Sequence, residues 1–205
     1  IRLSLVGSEM CIRDRATELA RQLRDIAYAA SVALARERGP FPLFDADGLL
    51  REGSFASRLP GALRREIREH GLRHSHLLSI APAGSVTLAF ADNASSGIEP
   101  AFAWSYLRHR RRRLASGVIA YEVEDHAWRA YQRLRGATVA PTAAFVTAME
   151  LPPQDHLAML AAVAPYIDAG ISKTVNAPTA CPYAEFEALY RQAWRSGLKG
   201  LTAFR

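Results

Sequence analysis

The residues best suited to chemistry lie in one short stretch, residues 79–87, reading Ser-Ile-Ala-Pro-Ala-Gly-Ser-Val-Thr. An apolar run ends there in small residues that let a ligand come close to the backbone. A helix starting near Ser85 would aim unbonded N–H groups at the end of that run, a geometry that holds phosphate without a lysine. The candidate phosphate-binding residues are Ala81, Pro82, Ala83, Gly84, Ser85, Val86 and Thr87, with the Ser85 and Thr87 hydroxyls as added donors. The same Pro and Gly also describe a strand-to-helix turn with no ligand at all.

Other reactive side chains are sparse. The histidines are His70, His74, His76, His109, His126 and His156. His74 and His76 share one face of an extended segment, but no carboxylate or cysteine stands at ligand spacing, so no metal is expected. Asp125-His126 and Asp155-His156 each fall at a predicted helix start and read as capping and dipole compensation. Cys11 and Cys181 sit in unlike contexts, which argues against a disulfide framework and for a reducing compartment. Cys181, just after an apolar run, is either a thiol at a barrel mouth or a small filler at a helix entry. No Walker-type loop, nucleophile elbow or Ser-His-Asp set is present.

The elements that must position these residues alternate between helix and strand. Apolar positions Leu19, Leu23, Ile26, Ala30 and Leu34 predict one face of a helix over residues 16–38, ended by Gly39-Pro40. Residues 41–53 read as a loop with buried aromatics, and 61–70 as a short basic helix. Residues 76–82 predict a buried strand, residues 92–97 a loop and 102–121 a hairpin. Residues 125–134 and 142–149 predict helix. A helix opens at Pro152-Pro153 with apolar face Leu157, Leu160, Ala161, Ala164 and Ile167. A strand at 171–177, a helix at 182–196 with Phe186, Leu189, Tyr190 and Ala193 on one face, and a strand at 198–204 make a βαβ unit with parallel strands. The fold class is therefore α/β.

Bulk properties suit a globular domain: 205 residues, 49% apolar and 22% charged. No uncharged apolar run is long enough to span a bilayer, which places the chain in the cytoplasm as an expectation, with no membrane partner. The net charge of +6 is one local run. Without Arg108, Arg110, Arg111, Arg112 and Arg113, 21 basic residues face 20 acidic ones. That run reads as an exposed loop or hairpin tip. The competing reading is a non-catalytic nucleotide- or RNA-binding module that uses these arginines. Residues 5–15, Leu-Val-Gly-Ser-Glu-Met-Cys-Ile-Arg-Asp-Arg, look like the translation of a transposase-type sequencing adapter. Residues 1–15 are therefore expected to stand outside the domain, which would span 16–205.

Several segments together resemble class II ribonucleotide reductases. His76-Leu77-Leu78-Ser79-Ile80-Ala81-Pro82-Ala83-Gly84-Ser85 is similar to that family's phosphate-loop strand, usually Ser-His-Leu-Leu-Ser-Ile-Ala-Pro-Thr-Gly-Thr. Further matches follow in order: residues 91–100, Ala-Asp-Asn-Ala-Ser-Ser-Gly-Ile-Glu-Pro; 123–128, Val-Glu-Asp-His-Ala-Trp; 155–159, Asp-His-Leu-Ala-Met; 171–176, Ile-Ser-Lys-Thr-Val-Asn; and 197–202, Gly-Leu-Lys-Gly-Leu-Thr. The resemblance implies the C-terminal half of a ten-stranded α/β barrel, present here as a fragment. It implies reduction of ribonucleotides to deoxyribonucleotides by a thiyl radical, with adenosylcobalamin as cofactor, a ribonucleotide as substrate and a thioredoxin-like dithiol as reductant. It implies no nucleic-acid partner and, at full length, admits a homodimer. A diiron-dependent class I subunit is the alternative cofactor class. The family's radical cysteine sits in Asn-Pro-Cys-x-Glu; that motif is missing, and Cys181 does not match it. No catalytic residue is therefore expected within this chain. Ala83 also lacks the hydroxyl, and Ser85 the methyl, of the family's two threonines, but the backbone donors survive.

Overall fold

The computed structural model describes residues 2–91, 94–111 and 118–204. The chain divides into two units, each with its own interior. The first comprises Ile1–Ser79, Ala158–Ile171 and Ala193–Gly200; the second comprises Ile80–Leu157, Ser172–Gln192 and Leu201–Arg205.

The first unit is helical. Helix α1 (Arg2–Arg38) ends at Gly39, whose φ of +77° suits a residue without Cβ. A one-turn helix, α2 (Ala46–Leu49), interrupts the predicted aromatic loop. It is nucleated by the Asp45 carboxylate, which accepts from the N–H groups of Asp47 and Gly48. Helix α3 (Gly61–His70) matches its predicted span and closes on Gly71. Ile67 and Leu72 are fully buried with Tyr28, Val32, Ala56 and Leu59, while Phe41, Phe44 and Phe55 pack around them. The loop aromatics are thus anchors, as expected.

Asp168 fastens this unit. Its buried carboxylate accepts from the Tyr28 hydroxyl at 2.8 Å and from the N–H groups of Leu77 and Leu78 at 2.8 and 2.7 Å. Lys199 Nζ donates to the Asp168 carbonyl, and to that of Ala169 at 2.6 Å. Burial, and then the bond to Asp168, push the Tyr28 hydroxyl pKa well above its ordinary value, so that proton stays in place.

Two expectations fail here, both for polar reasons. The predicted apolar face of α1 faces solvent: Leu19, Leu23 and Ile26 are 66%, 55% and 67% exposed. The packed face is Ala20, Arg24, Tyr28, Ser31, Val32 and Ala35. Tyr28 must reach Asp168, and Ser31 Oγ takes the His74 N–H at 3.2 Å, so hydrogen bonds set the rotation of the helix. Residues 76–79 belong to no strand, Ile80 forms only an isolated bridge, and His76, Ser79, Ala81 and Pro82 are exposed; the Leu78 and Ile80 carbonyls accept from Ala169 N at 3.0 Å and Ser172 N at 2.8 Å. The Leu77 and Leu78 amides serve the Asp168 carboxylate, not a neighbouring strand.

In the second unit, α4 (Gly84–Val86) continues as a π-helical turn over Thr87–Ala91. Strands β1 (Ser105–Arg111) and β2 (Val118–Glu124) pair antiparallel from Ser105↔Glu124 to Arg111↔Val118, the expected hairpin. Helix α5 (His126–Arg135) is capped by Asp125, which accepts from Ala127 N at 2.9 Å. Residues 142–149 form turns and not the predicted helix. Phe145 is held there among Trp104, Trp128 and Tyr131, and Ala148 N bonds to Ala101 O, so tertiary contacts set the path. Helix α6 (Pro153–Val163) begins in this unit, where it buries Leu157, and ends in the first, where it buries Leu160 and Val163. Strand β3 (Thr174–Asn176), helix α7 (Tyr183–Arg195) and strand β4 (Thr202–Phe204) complete the βαβ unit. Its strands are parallel, with Thr174↔Thr202 and Asn176↔Phe204 in register. Among the described residues the sheets are two-stranded and no closed barrel forms. No described helix is long and apolar enough to cross a membrane.

Two outcomes follow from these contacts. Asp168→Asn sets an amide NH2 against donors and should lower stability by about 2–3 kcal/mol, and Tyr28→Phe by about 1–2 kcal/mol, as read by urea unfolding; unchanged midpoints would remove Asp168 from its place in the fold. Deleting residues 1–15 should leave the thermal melt where it is, because Ala20 is the first buried residue among those described; a large drop would show that the segment packs.

Candidate functional site

The turn at residues 81–87 is built on strain and close approach. Ala83 is the one non-glycine residue with positive φ among those described, at +43°, where a Cβ costs roughly 1–2 kcal/mol. Left-handed residues of this kind collect at ligand sites. Ala83 precedes Gly84, where α4 starts, and the first return bond runs from Thr87 N to Ala83 O at 2.8 Å. The N–H groups of Gly84, Ser85 and Val86 therefore stand in the first helical turn, ahead of any helical acceptor. Ser85 is exposed and open to a ligand. Thr87 is not: its hydroxyl donates to Ala83 O at 2.9 Å. The expected hydroxyl pair is thus reduced to Ser85.

A second turn lies against the first. Glu99 N bonds to Ser96 O at 2.9 Å, and Gly97 between them has φ +59°. A Cβ on Gly97 would overlap the Ala81 carbonyl oxygen, so contact between the turns requires glycine there, whereas one on Gly84 would stand 3.3 Å from Ser96 Oγ, tight but met by a small shift of that side chain. Asp92 and Asn93, in the predicted loop joining them, lie outside the described residues.

Glu99 leads to a buried cluster that pattern reading missed. Lys173, 4% exposed, directs its ammonium to Glu99 Oε2 at 2.6 Å, His156 Nδ1 at 2.9 Å and the Thr174 carbonyl at 2.7 Å. The other Glu99 oxygen accepts from Thr174 N. His156 Nε2 donates to Ala148 O at 3.1 Å, which leaves Nδ1 to accept from the lysine. Burial, and then the Lys173 charge, hold the His156 pKa below its ordinary value. Burial lowers that of Lys173 too, opposed by Glu99. Asp155 stands in the first turn of α6, as the dipole reading expects, while His156 beside it is turned into the buried cluster. The available signal was a lysine within the predicted strand at 171–177, a charge that must be met if that strand is buried.

The remaining candidates scatter. Cys181 is buried, its Sγ 3.7 Å from Pro182 O. His74 bonds to Ser31, and His76 to Ser75. Arg108, Arg110 and Arg111 lie on β1, not in a loop, opposite Tyr121, Ile119 and Val118; Arg112 and Arg113 lie outside the described residues. Asn176 Nδ2, at the C-terminal end of β3, is buried with no hydrogen-bond partner among the described residues. A cleft of about 390 Å³ lined by Arg58, Leu160, Ile167, Leu198 and Lys199 includes none of residues 81–87.

Comparison with known proteins gives this geometry its setting. The model of the ribonucleotide reductase barrel domain matches residues 10–204. A vitamin B12-dependent ribonucleoside-diphosphate reductase of Mycobacterium tuberculosis is 32% identical over 97% of this chain and 27% of its own length. One from Thermoplasma acidophilum is 30% identical over 89% of this chain and 23% of its own length. A ribonucleoside-diphosphate reductase subunit alpha of Treponema pallidum is 26% identical over 47% of this chain and 12% of its own length. The chain thus spans about a quarter of the relatives that match it along most of its length. With the family's barrel model matched from residue 10 to residue 204, this chain belongs to the ribonucleotide reductase barrel-domain family.

Proposed function

We propose that this chain is the C-terminal part of the ten-stranded catalytic barrel of an adenosylcobalamin-dependent ribonucleotide reductase, and that residues 81–87 hold the substrate's phosphates. The observation that carries the second part is the left-handed Ala83, which sets the Gly84, Ser85 and Val86 amides at the start of α4. Three N–H dipoles and the Ser85 hydroxyl answer a phosphate oxygen without a counter-cation. The B12-dependent class is supported by the extent of the matches: relatives so named cover 97% and 89% of the chain, against 47% for the subunit alpha without that name.

In the whole enzyme, adenosylcobalamin would supply radical chemistry and a thioredoxin-like dithiol the reducing equivalents. Among the described residues no three His, Cys, Asp or Glu side chains converge on a metal site. This chain's part is to bind and orient the nucleotide so that its ribose meets a radical carried by another segment. The arginine-run alternative has no such support, because the matched family runs through it.

Titration of the chain with cytidine diphosphate, followed through the Gly84, Ser85 and Val86 amide resonances, tests the assignment. Those resonances should move. Gly84→Val, which thrusts a branched side chain at Ser96, should abolish the response, and Ser85→Ala should weaken binding by about 1.5–3 kcal/mol. Affinity that survives both changes would refute it. Incubated alone with adenosylcobalamin, dithiol and ribonucleotide, the chain should form no deoxynucleotide, since it lacks Asn-Pro-Cys-x-Glu; turnover would overturn that reading of the missing cysteine.

A further inference from the structure

We propose that Lys173, Glu99 and His156 form a positioning element for the phosphate-binding turn, fixing how tightly that turn can hold a nucleotide. This inference rests on the assignment of residues 81–87 to nucleotide phosphate and adds the residues that act on them from behind.

The geometry has three links. The first is the ammonium of Lys173. It has three N–H donors and meets three acceptors: Glu99 Oε2, His156 Nδ1 and the Thr174 carbonyl. A tetrahedral nitrogen can serve three divergent acceptors from one point; a planar guanidinium cannot. The second link is Glu99, whose two oxygens are divided between Lys173 and the Thr174 N–H on β3. The turn that starts at Ser96 is therefore tied at its far end to a strand. The third link is a close backbone approach. Gly97 lies where an added Cβ would overlap the Ala81 carbonyl oxygen. A displacement of Glu99 is therefore passed through Gly97 to Ala81, at the entry to the phosphate turn. Since Ala83 within that turn is already in a costly conformation, the support behind it decides whether its neighbours' amides keep a common aim.

None of the three side chains is needed to touch the nucleotide, so they are positioning residues. The cluster is also poised toward acid. The groups that face His156 are Lys173, Glu99 and Asp155. Its neutral ring accepts from Lys173, and protonation would set two cations together. The folded pKa lies below the ordinary 6.5, so the native arrangement is fully favoured above that value and is lost as pH falls beneath it.

The test uses this chain with cytidine diphosphate and, separately, inorganic pyrophosphate. Dissociation constants come from the Gly84 and Ser85 amide shifts, alongside thermal melts. Lys173→Met strands the Glu99 carboxylate; it should lower the melting temperature and weaken both ligands about tenfold. The double variant Lys173→Met/Glu99→Leu replaces the pair with apolar groups and should recover the melting temperature, yet not the affinity, because the tie to Thr174 N is gone. It also carries the comparison if the single variant does not fold. Lys173→Arg should fail to rescue affinity. Affinity in the wild type should decline as pH falls below 6.5, and His156→Gln, whose amide gives to Ala148 and accepts from Lys173, should flatten that decline. If affinity recovers together with the melting temperature in the double variant, or Lys173→Met binds as the wild type does, the cluster only stabilises the fold and the inference is overturned. A wild-type chain whose Gly84 amide ignores both ligands would overturn the phosphate assignment itself, and this inference with it.

Discussion

A buried carboxylate must be satisfied by donors brought from elsewhere in the chain, and that of Asp168 accepts from three. One is the Tyr28 hydroxyl on α1; two are the consecutive amides of Leu77 and Leu78. Much of the first unit follows from that demand. α1 rotates until Tyr28 points inward, which turns its leucines out. The segment ahead of the phosphate turn turns two consecutive amides to a side chain, while its Leu78 and Ile80 carbonyls accept from the Ala169 and Ser172 N–H groups. Lys199 then closes on the carbonyl of the same residue. An unpaired Asp168 would be costly enough that these compromises are the cheaper arrangement.

The second unit answers the same problem with opposite chemistry. Its buried charge is a lysine, and its acceptors come from a turn, a helix and a strand. In both units a single ionised group joins segments far apart in sequence. This is a familiar use of buried polarity, in which a defined arrangement matters more than net stabilisation.

Much of the fold was legible in the sequence, for identifiable reasons. α3 and α5 have sharp ends, a glycine after each and an Asp125 cap before the second, and local chemistry of that kind does not depend on distant contacts. The βαβ unit at β3, α7 and β4 combines two apolar runs with an amphipathic helix between them, a pattern with few other solutions. The helix at 142–149 and the strand at 76–82 were misread because their states depend on partners 40 to 90 residues away, Trp104 for Phe145 and Asp168 for Leu77 and Leu78. The phosphate turn was visible through Pro82 and Gly84. The left-handed Ala83 was not, because alanine carries no signal of positive φ, and the cluster behind the turn showed only as scattered family motifs.

Helix α1 is greasier on its wet side than on its packed side. Leu19, Leu23 and Ile26 stand in solvent while Arg24 and Ser31 are buried. The usual instinct of a protein engineer, to protect the aliphatic stripe and mutate the polar one, would here be inverted. Glutamate or lysine at positions 19, 23 and 26 should improve colloidal behaviour in concentrated solution without touching the interior, whereas a harmless-looking change at Ser31 would unseat His74.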